Sequence, residues 1–262
     1  MSSGFLSAAA TRDALGTLGL SRGDVALVHS DAIVAAQFPP MRDDQRLDVL
    51  IESIEAVLGP EGTLVMPTFS YSFTKGEQFD VCQTPSAVGM VSEHFRRKQG
   101  VLRSCDPIFS FAMKGRLAPR LSAVPVGECF GPESVFALLH QLNAQIVCVG
   151  CSLTRGGTFV HYVERKRGVC YRYDKEFHGT VIGPDRIPTP CSAIYYVRDL
   201  RRNSEADLRY LQCRLGATGH LKTAVAGRVH LLAVRADDFF RTASVMLDED
   251  PIALIAEGAR NQ

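Results

Sequence analysis

Apolar residues in this chain fall into two alternating kinds of run. Short unbroken ones, Val25-Ala26-Leu27-Val28, Leu64-Val65-Met66 and Ile146-Val147-Cys148-Val149, each give way to polar residues at the carboxyl end, as buried strands of a covered sheet do. Between them, apolar residues recur at steps of three and four, which predicts helices. These are 5–20, closed by glycine; 45–58, with Leu47, Leu50, Ile51, Ile54 and Val57 on one side and Gly59-Pro60 as its stop; 85–97; and 131–142, opened by Gly131-Pro132-Glu133-Ser134. The stretch 103–115 reads as a turn leading into a strand, and 71–84 has no consistent period, which predicts a loop beside a pocket. Further on, 168–190 alternates between turn signals and β pattern, 192–197 and 228–234 read as strands, and 204–215 and 236–246 as helices. Strands alternating with helices predict an α/β fold: a mostly parallel central sheet with helices on both faces, three layers in all, and a β-rich elaboration in the C-terminal third. With no linker or repeat to divide it, the expectation is a single domain over 1–262.

Charge narrows the partners. Lys plus Arg (29) balance Asp plus Glu (28), so nothing draws the chain as a whole to nucleic acid or to an anionic membrane, and a small molecule is expected instead. No apolar run approaches the roughly 20 residues that span a bilayer, and no basic segment followed by an apolar one opens the chain, which predicts a soluble, cytoplasmic protein. Of the eight cysteines only Cys148 and Cys151 make a C-x-x-C pair. A zinc site takes about four ligands, so no metal is expected and the cysteines read as free thiols packed like small hydrophobes.

The densest candidate chemistry lies in 145–164: a strand, a loop with Gly156-Gly157, then Thr158, His161 and Glu164 at steps of three, hence on one helix face. With Thr158 as the N-cap, His161 falls in the first turn, where the helix dipole disfavours an imidazolium, while Glu164 pulls the other way and orients the ring. Periodicity alone fits two readings, a proton acceptor for an attacking amine or hydroxyl and a surface pair at a helix end. Asp31 and Asp106 sit at element boundaries, where a carboxylate holds a cationic amine, positions the base or merely caps a turn. His29 follows an apolar run and fits a core histidine equally well. Cys151 is an alternative nucleophile, although nothing in the sequence marks a thiolate-stabilising environment. There is no G-x-S-x-G, no P-loop and no G-x-G-x-x-G after a strand.

A set of segments in one order then resembles a known family: Val28-His29-Ser30, 62–69, Phe79-Asp80 with Thr84-Pro85-Ser86 and Gly89, 92–97, Gly100-Val101-Leu102-Arg103-Ser104, 130–134, and 158–164. Together they are similar to the aminoglycoside 3-N-acetyltransferases, a group distinct in fold from the GNAT acetyltransferases. The resemblance covers residues 10 to 170 well and the remainder loosely. It implies transfer of an acetyl group from acetyl-CoA to an amine of a small molecule by direct attack, with His161 as general base and Glu164 as its support. It further implies that Ser30, Arg103, Ser104, Ser110, Phe130 and Gly131 shape the CoA side, the arginine meeting phosphate; Asp31, Thr68 and Thr158 are the candidates for the acceptor side. The assembly expected is a monomer or homodimer.

Three departures bear on the acceptor. The family commonly reads Arg-Ser-x-His-Pro where this chain has Arg103-Ser104-Cys105-Asp106-Pro107, which places Asp106 among the catalytic candidates, and His-Ser-Ser where it has His29-Ser30-Asp31. The loop Ser70-Tyr71-Ser72-Phe73-Thr74 lacks the early acidic residue of the antibiotic-modifying members. With Lys75, Arg165, Lys166, Arg167, Arg172 and Lys175 nearby, an anionic substrate is tolerated on composition. The expected acceptor is therefore an amino sugar or related metabolite. The alternatives are an aminoglycoside, whose acetylation confers antibiotic resistance, and a non-catalytic CoA-binding homologue.

Overall fold

The computed structural model describes residues 5–256 apart from residue 203. Three of the buried runs form its centre: β1 (Val25–Ser30), β2 (Thr63–Pro67) and β6 (Gln145–Val149), with β1 paired in parallel to both others. On one flank β5 (Phe111–Gly115) and β4 (Leu102–Arg103) continue the sheet, and on the other β10 (Val229–Arg235) and β9 (Lys222–Ala226), in the order β4-β5-β2-β1-β6-β10-β9. Each flanking pairing is antiparallel, so β5 and β10 oppose the direction of the other five strands. The sheet is thus parallel where both faces are most deeply covered and mixed toward its edges. β9 escapes sequence reading because it is an edge strand with mostly exposed residues, and no apolar run marks it.

Successive residues of the central strands enter opposite cores, as the two-residue period of a strand dictates. Ala26, Val28, Leu64, Met66, Val147 and Val149 meet α1 (Ala8–Thr17), α2 (Asp43–Leu58) and α3 (Met90–Arg96). Leu27, Val65, Ile146 and Cys148 meet the other layer, with α5 (Val135–Gln141), α7 (Val160–Arg167), α8 (Arg209–Ala217) and α9 (Ala236–Glu249), and α4 (Ala118–Ser122) beside them. The stripe read on α2 is the buried one, Leu47, Leu50, Ile51 and Ile54. No helix of the described residues is long and apolar enough to cross a membrane.

The β-rich elaboration is a long hairpin of β7 (Arg172–Ile182) and β8 (Pro188–Arg198), joined in parallel by β3 (Phe79–Asp80) into a second, three-stranded sheet. Pro188 and Pro190 are tolerated in β8 because that strand forms the sheet's edge, where a missing N–H breaks no ladder. The segment read as a loop, 71–84, holds a 3-10 turn at Phe73–Lys75 besides β3. The loop after β6 contains α6 (Leu153–Gly156), a single turn of helix. The β-strand ends that carry polar residues all reach one edge of the main sheet, where open α/β sheets bind ligands. A cleft of about 590 Å³ opens near the opposite edge, lined by Arg22, Glu55, Pro60 and Lys114 among others, away from every candidate residue.

Candidate active site

α7 ends because Gly168 adopts a left-handed conformation (φ 63°), a helix stop that reverses the chain at little cost for glycine. The reversal lays Tyr171 and Arg172, at the start of β7, back against the helix just left. Glu164, wholly buried on α7, is the point they converge on. Its Oε2 accepts from His161 Nδ1 at 2.7 Å and its Oε1 from the Tyr171 hydroxyl at 3.1 Å. Arg172 Nε stands 2.7 Å from Oε2, as an ion pair whose N–H does not point along the contact. A buried carboxylate is tolerated only when paired and hydrogen-bonded, and this one has a cation and two donors. Burial, with the Glu164 charge adding to it, raises the Tyr171 phenol far above the ordinary range and keeps it a donor.

Glu164 fixes the imidazole in turn. With Nδ1–H donated to the carboxylate, Nε2 carries the lone pair and makes no hydrogen bond within the described residues. Burial, then the Arg172 charge, lower the His161 pKa, and Glu164 opposes them without winning. The ring is therefore neutral at physiological pH, a base rather than an acid. Its side chain keeps 19% of its exposure, and Phe130 packs edge-on against it at 5.5 Å between centroids. Sequence spacing found His161 and Glu164 but not their anchors. Arg172, counted above among cations favouring an anionic substrate, is instead spent on Glu164, and Arg165 pairs with Asp174 at 2.9 Å.

Other candidates take different places. Thr158 precedes the helix: Phe159 occupies the N-cap position, and it is the Thr158 carbonyl that receives the His161 N–H at 3.1 Å. Asp106 caps the turn that follows it, its Oδ1 accepting from Ile108 N and Phe109 N, both at 2.8 Å, with the Cys129 thiol 3.8 Å away. Burial raises its pKa. None of its hydrogen bonds reaches His161 or Glu164; the turn it ties seats Phe109 against Phe130 at 4.7 Å, and so backs the imidazole from one layer away. Gly131 turns tightly beside Glu128, whose Cβ leaves no room for a side chain there.

The expectation that Arg103 meets a phosphate is not carried by this geometry. Arg103 is buried and points its nitrogens at the Thr68 carbonyl (2.7 Å), the Thr84 and Val81 carbonyls, and the hydroxyls of Ser110 (3.1 Å) and Thr68 (3.2 Å). Phe79 covers the guanidinium at 4.8 Å. Burial pushes its pKa down to about 9, which still leaves the charge in place at neutral pH and explains why so many acceptors gather round it. Ser110 donates to the Thr68 carbonyl, and Ser104 accepts from Phe111 N. Thr68, Arg103, Ser104 and Ser110 thus brace β2, β4 and β5 from within.

Ser30 and Asp31 are placed otherwise. With His29, Ser92, Cys151 and Arg155 they line an open cleft of about 320 Å³ at the carboxyl ends of β1 and β2 and the loop after β6. Asp31 caps the following 3-10 turn through Ile33 N and pairs with Arg155 at 3.0 Å.

Comparison with known proteins identifies the family. The chain belongs to the aminoglycoside 3-N-acetyltransferase family, whose model matches residues 27–248. It is 30% identical to aminoglycoside N(3)-acetyltransferase IV of Salmonella sp over 91% of this chain and 86% of that protein. The crystal structure of a mutant of aminoglycoside acetyltransferase AAC(3)-IVa in complex with apramycin superposes with a TM-score of 0.76 at 27% identity, covering 95% of each chain. AAC-IIIb in binary complex with CoASH shares the fold at 19% identity, with a TM-score of 0.77 over 94% of this chain and 97% of that one. The protein is an acetyl-CoA-dependent N-acetyltransferase.

Proposed function

We propose that the protein acetylates a primary amine of an aminoglycoside or closely similar amino sugar in a single direct transfer. The observation that carries this reading is the fixed imidazole of His161, its Nδ1 tied to a buried carboxylate and its Nε2 unengaged. An amine attacks only as the free base, and a neutral Nε2 removes the proton as the nitrogen closes on the thioester carbonyl. The bond formed is C–N and the bond broken is C–S, so free CoA leaves. Glu164 holds the ring and stabilises the imidazolium that appears, Arg172 and Tyr171 hold Glu164, and Phe130 walls the ring. The acetyl-CoA side is assigned to the cleft with Ser30, whose hydroxyl and neighbouring main chain suit the amides of a pantetheine arm. Asp31 remains the acidic group nearest that cleft for an amine, and Asp106 is a support rather than a catalyst.

An aminoglycoside acceptor is favoured because the curated relative and the apramycin-bound structure carry that name and ligand at 30% and 27% identity, and because Arg172 and Arg165, which on composition tolerated an anionic acceptor, are paired with Glu164 and Asp174. Resistance to the antibiotic would then follow from the loss of a positive charge on the drug. We place the protein in the cytoplasm as one domain; its eight free thiols suit a reducing compartment. Release of free CoA thiol, measured with acetyl-CoA against an aminoglycoside panel and aminated sugar nucleotides, tests the acceptor. Turnover on aminoglycosides is expected; turnover confined to singly aminated sugars overturns it, and acetyl-CoA binding without transfer to any amine points to the non-catalytic reading.

A further inference from the structure

The cleft beside Ser30 has a floor that acetyl transfer does not use. Cys148, the last but one residue of β6, is fully buried, while Cys151 is half-buried and lines the cleft. The chain turns at Gly150 (φ 74°), and Cys151 Sγ then lies 3.9 Å from the carbonyl of His29, the residue beside Cys148 in the sheet. Gly156 packs where they meet: a Cβ there would lie 2.6 Å from Cys148 Sγ and 3.3 Å from Cys151 Sγ, so a side chain is excluded and the sulfurs share one space. His29 is the register partner of Cys148 across the parallel ladder and lines the same cleft. It is buried, keeping 7% of its exposure, and its Nε2 has no partner among the described residues. An unsatisfied buried ring nitrogen costs free energy. No three His, Cys, Asp or Glu side chains of the described residues converge as a metal site needs.

We propose that Cys151 and Cys148 form a thiol–disulfide exchange site that takes a low-molecular-weight disulfide, Cys151 attacking from the cleft and Cys148 resolving from beneath it. Cys151 thiolate attacks one sulfur of RS–SR, forming Cys151–S–S–R and expelling RS⁻. Cys148 thiolate then attacks Cys151 sulfur, forming the Cys148–Cys151 disulfide and expelling the second RS⁻, and the two thiol protons end on two RSH. The dithiol is oxidised and the small disulfide reduced. The neighbouring Cys148 side chain, then Arg155, lower the Cys151 pKa, and Cys151 followed by burial raise that of Cys148, so the pair is polarised with the accessible sulfur as nucleophile. The RS⁻ expelled in the first step takes the Cys148 proton, because burial leaves His29, at about 4, too weak a base for it.

The test is intact mass and peptide mapping of the whole protein after exposure to oxidised glutathione or to CoA disulfide. The wild type is expected to lose the two thiols without keeping the small thiol, the new disulfide mapping to Cys148 and Cys151. Cys148→Ala is expected to keep one small thiol, on Cys151, and Cys151→Ala none at Cys148. Reaction at Cys151 should outrun that at the exposed Cys82, Cys170 and Cys213 by about tenfold or more, as a lowered thiol pKa allows. Equal rates with the two disulfides assign the site to small disulfides in general; a faster reaction with CoA disulfide assigns it to CoA and rests on the cosubstrate cleft proposed above. Retention of both thiols in the wild type, or modification that favours the exposed cysteines, overturns the proposal. The wild-type measurement decides even where a variant does not fold.

Discussion

Among the buried charged side chains of the described residues, Glu164 and Arg103 differ in kind, and only Glu164 belongs to the candidate active site. Glu164 and Arg103 are each enclosed, and each is met by several hydrogen-bonding or charged partners. The partners of Arg103 are main-chain carbonyls and hydroxyls, all buried but the half-buried Thr84 carbonyl, so its network closes within the core. The network of Glu164 ends on His161, which stays partly exposed and has one ring nitrogen unengaged. A buried ion marks a brace when every valence is used inside the core. It marks a site when the chain of contacts ends on an unused valence within reach of a substrate.

The sharpest way to break that contrast is to remove the terminal group. His161→Ala is expected to lower kcat by about 10²–10⁴-fold, the usual worth of a general base, with acetyl-CoA binding by calorimetry unchanged; a near wild-type kcat would take the role away from His161. Removing the charges themselves compares the centres directly. Glu164→Ala strands the Arg172 cation and should cost about 3–5 kcal/mol of unfolding free energy in denaturant titrations. Arg103→Ala should cost a similar order by orphaning the Thr68, Val81 and Thr84 carbonyls. The folded fraction of the Arg103 variant should keep its KM for acetyl-CoA. A raised KM with unaltered stability would return Arg103 to the cosubstrate.

Proton linkage gives a finer comparison. His29 titrates at about 4 in the folded protein because it is buried, against 6.5 when unfolded. Its folded pKa is depressed, so its contribution to stability is whole above pH 6.5 and is lost as pH falls toward 4, on the order of 3 kcal/mol. A His29→Leu variant should show a flatter dependence of Tm on pH across that window, and an unchanged slope would remove His29 as the cause. The smallest expected effect is on the pH–rate profile. The acid limb of kcat/KM should inflect below 6.5, because burial and Arg172 together outweigh Glu164 at His161. An inflection above 6.5 would mean that the carboxylate dominates.

The sequence by itself determined the strands and helices whose patterns are local. The apolar runs of β1, β2 and β6, the buried stripe of α2 and the three-residue step from His161 to Glu164 all follow from side-chain period, which the fold cannot alter once the element forms. Family order gave the activity class on the same local motifs. Only the tertiary structure decided which polar residues are locked inside the core and which keep an unengaged valence. Arg103 and Arg172 read alike in sequence as cations near polar loops, yet one is locked among carbonyls and the other against Glu164, because β4, β5 and the return of the chain after Gly168 set their neighbours. Asp106 likewise became a turn cap through contacts two and three residues along, and the Cys148–Cys151–His29 cluster exists because β1 and β6 lie side by side in register. Pairing across strands far apart in sequence leaves no periodic trace, so those roles could be read only after the chain had folded.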